Sequence, residues 1–255
     1  MFQPDQHLSP PPPGQTNWAY FLDVDGTLIS HTDNIDDVRV TPQLRALMHD
    51  LASCCNGALA LVSGRRLSDL QTLFNMTGVT FIGQNGLEGH DNRGRTWQQK
   101  TFSASLRKRI HAEMKPMLAL NPKLLLEDKG LMMTLHCRSV STPNLQNLLL
   151  PSITPYPQKA MPLVLGLGKS GVDLMPCRYG KRQAVAWMLT QAPFYGRRPV
   201  FIGDDWADEP AFLEMNQRKG LSIKVGWGAT HAIYRLENVA QVLAWLRTVP
   251  EQKAV

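Results

Sequence analysis

The apolar run Trp18-Ala19-Tyr20-Phe21-Leu22 stops at Asp23-Val24-Asp25-Gly26-Thr27-Leu28, and this junction restricts the fold more than any other stretch of the chain. The run reads as a buried strand that ends in two carboxylates, a glycine and a hydroxyl. Carboxylates at i and i+2 of an extended backbone point to the same side. Left alone they repel, and each raises the proton affinity of the other. A divalent cation relieves that repulsion. Gly26 lets the chain leave the strand sharply. Asp-Gly is also a common turn dipeptide, so the surrounding sequence decides between a plain acidic turn and a site.

A second apolar run, residues 58–62, ends in Ser63-Gly64-Arg65, and a third, 79–82, ends in Gly83-Gln84-Asn85-Gly86. Between the first two, Thr41-Pro42 offers an N-cap with proline at the first helical position. Leu44, Leu47, Met48 and Leu51 follow at helical spacing, as do Leu67, Leu70, Leu73 and Phe74 after the second run. Strand and helix alternate, the mark of a parallel sheet with crossover helices. The alternation resumes with a helix over 181–190, strands at 200–202 and 221–225, and a closing helix over 236–246. The strand at 200–202 ends in Gly203-Asp204-Asp205.

The middle of the chain differs. It reads as a helix over 102–119, strands at 124–126 and 131–137 joined by a turn at 127–130, a short helix at 144–150, and strands at 163–165 and 171–175. The order α-β-β-α-β-β marks an inserted α+β cap. The expected fold is therefore α/β: a doubly wound, mainly parallel Rossmann-like sheet with an inserted α+β cap domain. The expected domains are a core over 17–98 and 177–255, a cap over 99–176, and a proline-rich arm over 1–16, extended or disordered.

The 255 residues are 43% hydrophobic and 19% charged, enough for a real core. No apolar run approaches the roughly 20 residues of a membrane span, and the first residues lack the basic and apolar regions of a secretory signal. The expected compartment is cytoplasmic. Cys54, Cys55, Cys137 and Cys177 have no metal-site spacing and read as reduced and structural. The formal charge of +6 is spread out. Its tight clusters, Arg107-Lys108-Arg109 and Arg197-Arg198, read as solvated faces, so no nucleic-acid partner is expected. An anionic small substrate suits such a surface.

In open parallel sheets, ligands bind beyond the carboxyl ends of the strands. Asp23, Asp25, Ser63, Asp204 and Asp205 should therefore converge. A carboxylate can attack phosphorus and form an aspartyl-phosphate, and Asp23, ending its strand, is the natural nucleophile. Mg2+ takes oxygen ligands, which Asp23, the Asp25 backbone carbonyl and Asp204 would supply. Asp25 is then free for proton transfer, with Thr27 to orient it. The Ser63 hydroxyl and the N–H groups around Gly64 would bind phosphate oxygens. Lys181, at the start of a helix, adds a cation to the positive end of the helix dipole.

These residues, in this order, resemble the four motifs of the haloacid-dehalogenase-type phosphatases. Leu61-Val62-Ser63-Gly64-Arg65, Glu127-Asp128-Lys129-Gly130 with His136-Cys137-Arg138, Gly203-Asp204-Asp205-Trp206-Ala207-Asp208-Glu209 and Val225-Gly226-Trp227-Gly228-Ala229-Thr230 are similar to the trehalose-6-phosphate phosphatase family. The resemblance implies a Mg2+-dependent sugar phosphatase with a central Asp23 strand and a mobile cap. It implies that Asp208, with Asp205, supports the metal site. It also implies that Lys129, Lys169 and Asp173 face the sugar, with Arg65, Asn85 and His136 on the substrate side. The chain departs from the family's common pattern at Asp173, where glutamate is usual, at Met175, where a basic residue is usual, and at Gln84-Asn85, where a histidine is frequent.

Other readings stay open beside this one. A phosphatase acting on a different sugar or glycosyl phosphate would use the same core. A phosphotransferase or mutase would keep the Asp23 chemistry and exclude water. A non-catalytic binding module would not need Asp25 or Lys181. Gly166-Leu167-Gly168-Lys169-Ser170 is not a P-loop, because Leu163 stands where the first glycine belongs. His136 reads more readily as a satisfied structural histidine, and Trp206 and Trp227 as wall packing.

Overall fold

Strand β1, Ala19–Asp23, is buried at every residue. An unbroken apolar sequence gives this result when helices cover both faces of a sheet. The computed structural model describes residues 8–31, 38–100, 102–137, 163–168 and 171–251. The expected helix at 144–150 and Lys169 lie outside the described residues. In chain order the elements after β1 are α1 (Pro42–Cys54), β2 (Leu59–Val62), α2 (Leu67–Phe74), β3 (Thr80–Gly83), β4 (Glu88–His90) and β5 (Thr96–Gln98). Then follow α3 (Ala104–Leu120), β6 (Leu124–Asp128), β7 (Met133–Cys137), β8 (Leu163–Gly168) and β9 (Gly171–Pro176). The last are α4 (Lys181–Met188), β10 (Pro199–Gly203), α5 (Glu209–Gln217), β11 (Leu221–Val225), β12 (Tyr234–Leu236) and α6 (Val239–Glu251).

The chain divides into two compact units, Met1–Trp97 with Lys181–Val255, and Gln98–Gly180. The sheet of the first runs β12-β11-β10-β1-β2-β3-β4-β5. Its strands from β12 to β3 are parallel, and β4 is antiparallel to β3. The order reverses at β1: the chain winds outward to β2 and β3, then returns to β10 on the other side. Right-handed crossovers then put α1 and α5 on opposite faces, and the strand ends around β1 form the topological switch point. Phe21 stacks on Phe194 at 5.1 Å, and Phe201 meets Phe212 edge-on at 5.8 Å.

The sheet of the second unit runs β6-β7-β9-β8, all antiparallel. Met133, Leu135, Val172 and Leu174 on one face are buried with Ile110 and Met114 of α3. Alternation puts Thr134, His136 and Asp173 on the other face, with Glu127 opposite Thr134 in the register.

Several local expectations are corrected. Leu236 ends β12 and does not begin a helix; α6 starts later, where the Asn238 side chain accepts the Gln241 N–H. Strands β4 and β5 had no hydrophobic signal, being three residues each and largely polar. They are joined by a turn in which Asp91 accepts the Arg93 and Arg95 N–H groups. The basic clusters are not purely solvated faces. Arg107 pairs with Asp128 and donates to the Gly130 carbonyl. Arg197 donates to the Thr16 and Trp18 carbonyls, and Arg198 lies over the Trp18 ring. Cys54, Cys55 and Cys177 form no disulfide among the described residues.

From residue 8 onward the arm is hydrogen-bonded to the first unit. Ser9 accepts the Arg235 N–H of edge strand β12, Pro12 accepts from the Trp245 indole, and Gln15 accepts from the Tyr20 hydroxyl. Prolines along a sheet edge discourage pairing with another chain. A Cβ on Gly14 would lie 2.5 Å from Val249 Cγ2 and 3.0 Å from the Tyr20 hydroxyl. Gly14→Val is therefore expected to destabilise by about 1–3 kcal/mol, read as a lower urea midpoint; an unchanged midpoint means that the arm does not pack on α6.

Helices α4 and α5 are tied by Arg182, which with Arg218 binds the Glu214 carboxylate at 2.9 and 2.7 Å. Burial alone would raise this carboxyl, but the two guanidiniums hold it below its ordinary value. Its contribution is thus full above the unfolded pKa of about 4.3 and is lost as the pH falls through the lower folded value. Glu214→Gln should flatten the acid limb of a stability-against-pH curve; a limb parallel to the parent's contradicts the assignment.

Candidate active site

Three strand ends bring their side chains together. Asp23 ends β1, Ser63 follows β2, and Asp204 follows β10, with β1 hydrogen-bonded between the other two. Carboxylate oxygens of Asp23, Asp204 and Asp208 lie within 4.8 Å of one another, and all three residues are buried. Asp208 enters because Trp206–Asp208 forms a 3-10 turn capped by Asp205.

Lys181 binds this group from the first residue of α4. Its Nζ donates to Asp23 Oδ1 and to Asp208 Oδ1, each at 2.6 Å. The side chain is only 4% exposed, so this is no solvated first-turn lysine. Burial works against its charge, but the Asp208 and Asp23 carboxylates override it and raise its pKa. The ammonium stays charged. Asp23 is pushed well above the ordinary carboxylate range, first by burial and then by Asp208 and Asp204; Lys181 opposes the shift. Carboxylates outnumber the ammonium they share, and the excess suits a divalent cation.

Asp208 has its remaining oxygen engaged. Oδ2 accepts the N–H groups of Asp204 and Asp205, both at 3.0 Å. It therefore stiffens the acidic loop while bringing a carboxylate into the cluster. Asp205 is turned to capping, with Oδ1 accepting the Trp206 N–H at 2.6 Å. Behind the loop, the buried Lys224 donates to the Asp204 and Val225 carbonyls. Sequence reading missed it, because a lone lysine in an apolar strand carries no spacing signal.

Asp25 is not free. Arg65 donates to both of its oxygens, each at 2.7 Å. The hydrogen bond to Asp25 raises the guanidinium's already high pKa against the effect of burial. Arg65, expected on the substrate side, thus holds the expected acid–base residue. Thr27 does not orient Asp25: its hydroxyl is buried without a hydrogen-bond partner among the described residues. Ser63 Oγ accepts the Arg65 N–H at 3.1 Å. Next to it, the Asn85 N–H donates to the Ser63 carbonyl, and Gln84 N–H to the Arg65 carbonyl. Both Gln84 and Asn85 are buried with positive φ, 45° and 56°. Left-handed backbone at two successive non-glycine residues is strained and tends to occur at functional sites.

Sequence reading also missed His31, whose Nε2 lies 3.0 Å from Asp204 Oδ2. It missed Glu209 too, which accepts from Thr230 Oγ1, the His231 N–H and the His231 ring. Glu209 belongs to a quoted motif, but its role depends on a loop some twenty residues away. Trp206 and Trp227 are 45% and 60% exposed, so they are not wall packing; Arg235 lies over the Trp227 ring.

In the second unit, Glu127 binds His136 at 2.8 Å and lies 3.7 Å from Lys129, while Thr134 donates to Asp173 at 2.6 Å. His136 therefore has a partner within its own sheet. Met175 is buried in β9.

The trehalose-phosphatase family model matches residues 21–239. The chain is 34% identical over 242 residues to the trehalose-6-phosphate phosphatase of Escherichia coli strain K12, covering 95% of this chain and 90% of that one. It is 38% identical over 211 residues to a probable trehalose-phosphate phosphatase of Sinorhizobium fredii, covering 82% and 78%. The fold is similar to the C-terminal domain of C. albicans trehalose-6-phosphate phosphatase, with a TM-score of 0.79, 18% identity and 93% of each chain covered. It also resembles a haloacid dehalogenase-like hydrolase from B. subtilis, with a TM-score of 0.58, 14% identity, and 89% of this chain and 98% of that one covered.

Replacing Lys181 leaves Asp23 and Asp208 facing each other without their shared cation. Lys181→Met should cost about 3–5 kcal/mol of stability, measured by denaturant titration; an unchanged midpoint would show the pair to be energetically idle.

Proposed function

The chain belongs to the trehalose-phosphatase family and is a phosphoric monoester hydrolase; on that premise we propose that it hydrolyses trehalose 6-phosphate to trehalose and phosphate with Mg2+. The observation that carries the reading is the buried group of Asp23, Asp204, Asp208 and Lys181 at the switch point of the sheet. The donor set fits Mg2+, being oxygen-only and richer in carboxylates than in cations. Asp23 and Asp204, with the Asp25 backbone carbonyl, would hold the ion, and Asp208 would fix their loop. When bound, it would offset charge on the phosphoryl group and on the carboxylates around it.

The chain's own residues do the rest. Asp23 is the nucleophile. Lys181 already holds Oδ1, and no hydrogen bond to Oδ2 forms among the described residues, which leaves that oxygen for attack on phosphorus. The P–O bond to the sugar breaks as the Asp23–phosphorus bond forms. The leaving oxygen takes a proton from Asp25. Water then attacks phosphorus as the Asp23–phosphorus bond breaks, which frees phosphate and the Asp23 carboxylate, and Asp25 takes a proton from that water. Arg65 occupies both Asp25 oxygens, so it must release one for a proton to be carried there. The incoming phosphate, itself able to bind a guanidinium in bidentate fashion, competes for Arg65. The Ser63 hydroxyl, which accepts from Arg65 N–H, keeps its own proton to donate to a phosphate oxygen. Gly64 lies in the same loop.

Recognition of the sugar is assigned to the polar face of the second unit's sheet. Lys129, His136 and Asp173 share hydrogen-bonding or charged neighbours within that face. Lys169 would join them. The one-carbon-shorter Asp173 and the buried Met175 make this part of the site chemically distinct from the family's usual glutamate and basic residue.

A phosphate-release screen across sugar phosphates tests the reading. Trehalose 6-phosphate should be the preferred substrate, EDTA should stop turnover, and Asp23→Asn should abolish it with an unchanged fold by circular dichroism. Normal turnover by Asp23→Asn sinks the mechanism. Inertness toward trehalose 6-phosphate with brisk hydrolysis of another ester replaces the substrate and leaves the chemistry.

A further inference from the structure

His31 has no place in the motifs above, yet its imidazole meets the acidic group from the solvent side. Its Nε2 lies 3.0 Å from Asp204 Oδ2; the Asp204 side chain is 3% exposed and that of His31 is 47% exposed. An ionised carboxylate can only accept, so Nε2 carries the hydrogen.

The turn after β1 builds this contact. Gly26 N–H donates to the Ile29 carbonyl at 2.7 Å, and Leu28 and Ile29 N–H both donate to Val24, so the chain curls back on itself. That return carries residue 31 over Gly26. The turn also needs a glycine there for a second reason besides its φ of +86°: a Cβ at residue 26 would collide with the Asp204 carboxylate and with His31 Nε2 together. The imidazole and the carboxylate therefore meet across the bare face of Gly26.

Asp204 is held through its backbone. Its N–H is held by Asp208, and its carbonyl by Lys224. These bonds set where the residue sits. His31 supplies a hydrogen bond to the carboxylate itself. Metal-binding carboxylates are commonly held by such an outer partner, whose loss weakens metal affinity by about 10–100-fold.

We infer that His31 is a positioning residue for the divalent-cation site, holding the Asp204 carboxylate in its binding rotamer through the hydrogen bond across Gly26. The inference rests on the metal part of the proposed function. It adds a residue whose contribution is to cation affinity, not to the chemical step, because His31 acts only through Asp204.

The test compares the parent, His31→Ala and His31→Gln by calorimetric titration with Mg2+ alone and by the rise in Tm that Mg2+ produces. His31→Ala should bind Mg2+ about tenfold more weakly, while its metal-free Tm stays at the parent value, since the side chain is half exposed. His31→Gln, which keeps an N–H donor of similar reach, should recover most of the affinity. At saturating Mg2+ the kcat of His31→Ala should return to near the parent value, while the Mg2+ concentration for half-maximal activity rises. Equal Mg2+ affinity in the parent and His31→Ala overturns the inference and leaves the metal reading standing. Tighter binding by His31→Ala also overturns it, since His31 would then be competing with the cation for Asp204. A parent that takes up no Mg2+ in either measurement removes the metal reading itself, and this inference with it.

Discussion

One buried ammonium holds the centre of this molecule together. Lys181 bonds to Asp23 at the end of β1 and to Asp208 beyond β10, two residues far from it in sequence. Carboxylates this deeply buried are stable only when paired and hydrogen-bonded. Several neighbouring groups meet that demand. Asp208 gives its second oxygen to the Asp204 and Asp205 N–H groups, and Lys224 neutralises the back of the same loop. What remains is a surplus of negative charge among rigid oxygens, a ready environment for a small divalent cation.

Rigidity is bought by the sheet. The strands that lead to Asp23, Ser63 and Asp204 are fixed in parallel register and buried on both faces. The β11–β12 connection is tied down by Glu209, which accepts from Thr230 and His231, while Asn216 donates to the His231 carbonyl. Polar residues on irregular segments are thereby held by a scaffold that is itself held by apolar packing. The second unit repeats the division on a smaller scale, with one sheet face packed on α3 and the other carrying Glu127, Thr134, His136 and Asp173.

Much of this was legible in the chain. Asp23, Ser63 and Asp204 were readable because a buried parallel strand leaves a continuous apolar run, and polar residues at its end then stand out. The polar hairpin of β4 and β5 left no such run. Leu236 was read as helical because its apolar neighbours share a helical period, whereas pairing with β11 decides for strand. Lys181 is legible as a cation at a helix start, but its burial and its two carboxylate partners come from the fold. Arg65 and His31 gave no warning of their partners, because each acts through a single contact with a residue distant in sequence.

The order of residues alone sets the alternation of strands and helices, the inserted α+β block, and which carboxylates stand at strand ends. These follow from local periodicity and from the chemistry of individual residues. Which charges pair is set by the fold: Lys181 with Asp23 and Asp208, Arg65 with Asp25, and His31 with Asp204. The physical reason is that a charge acquires its partner from proximity in space and its strength from exclusion of water. Neither quantity exists along an extended chain; both arise when β1 is enclosed between its neighbours.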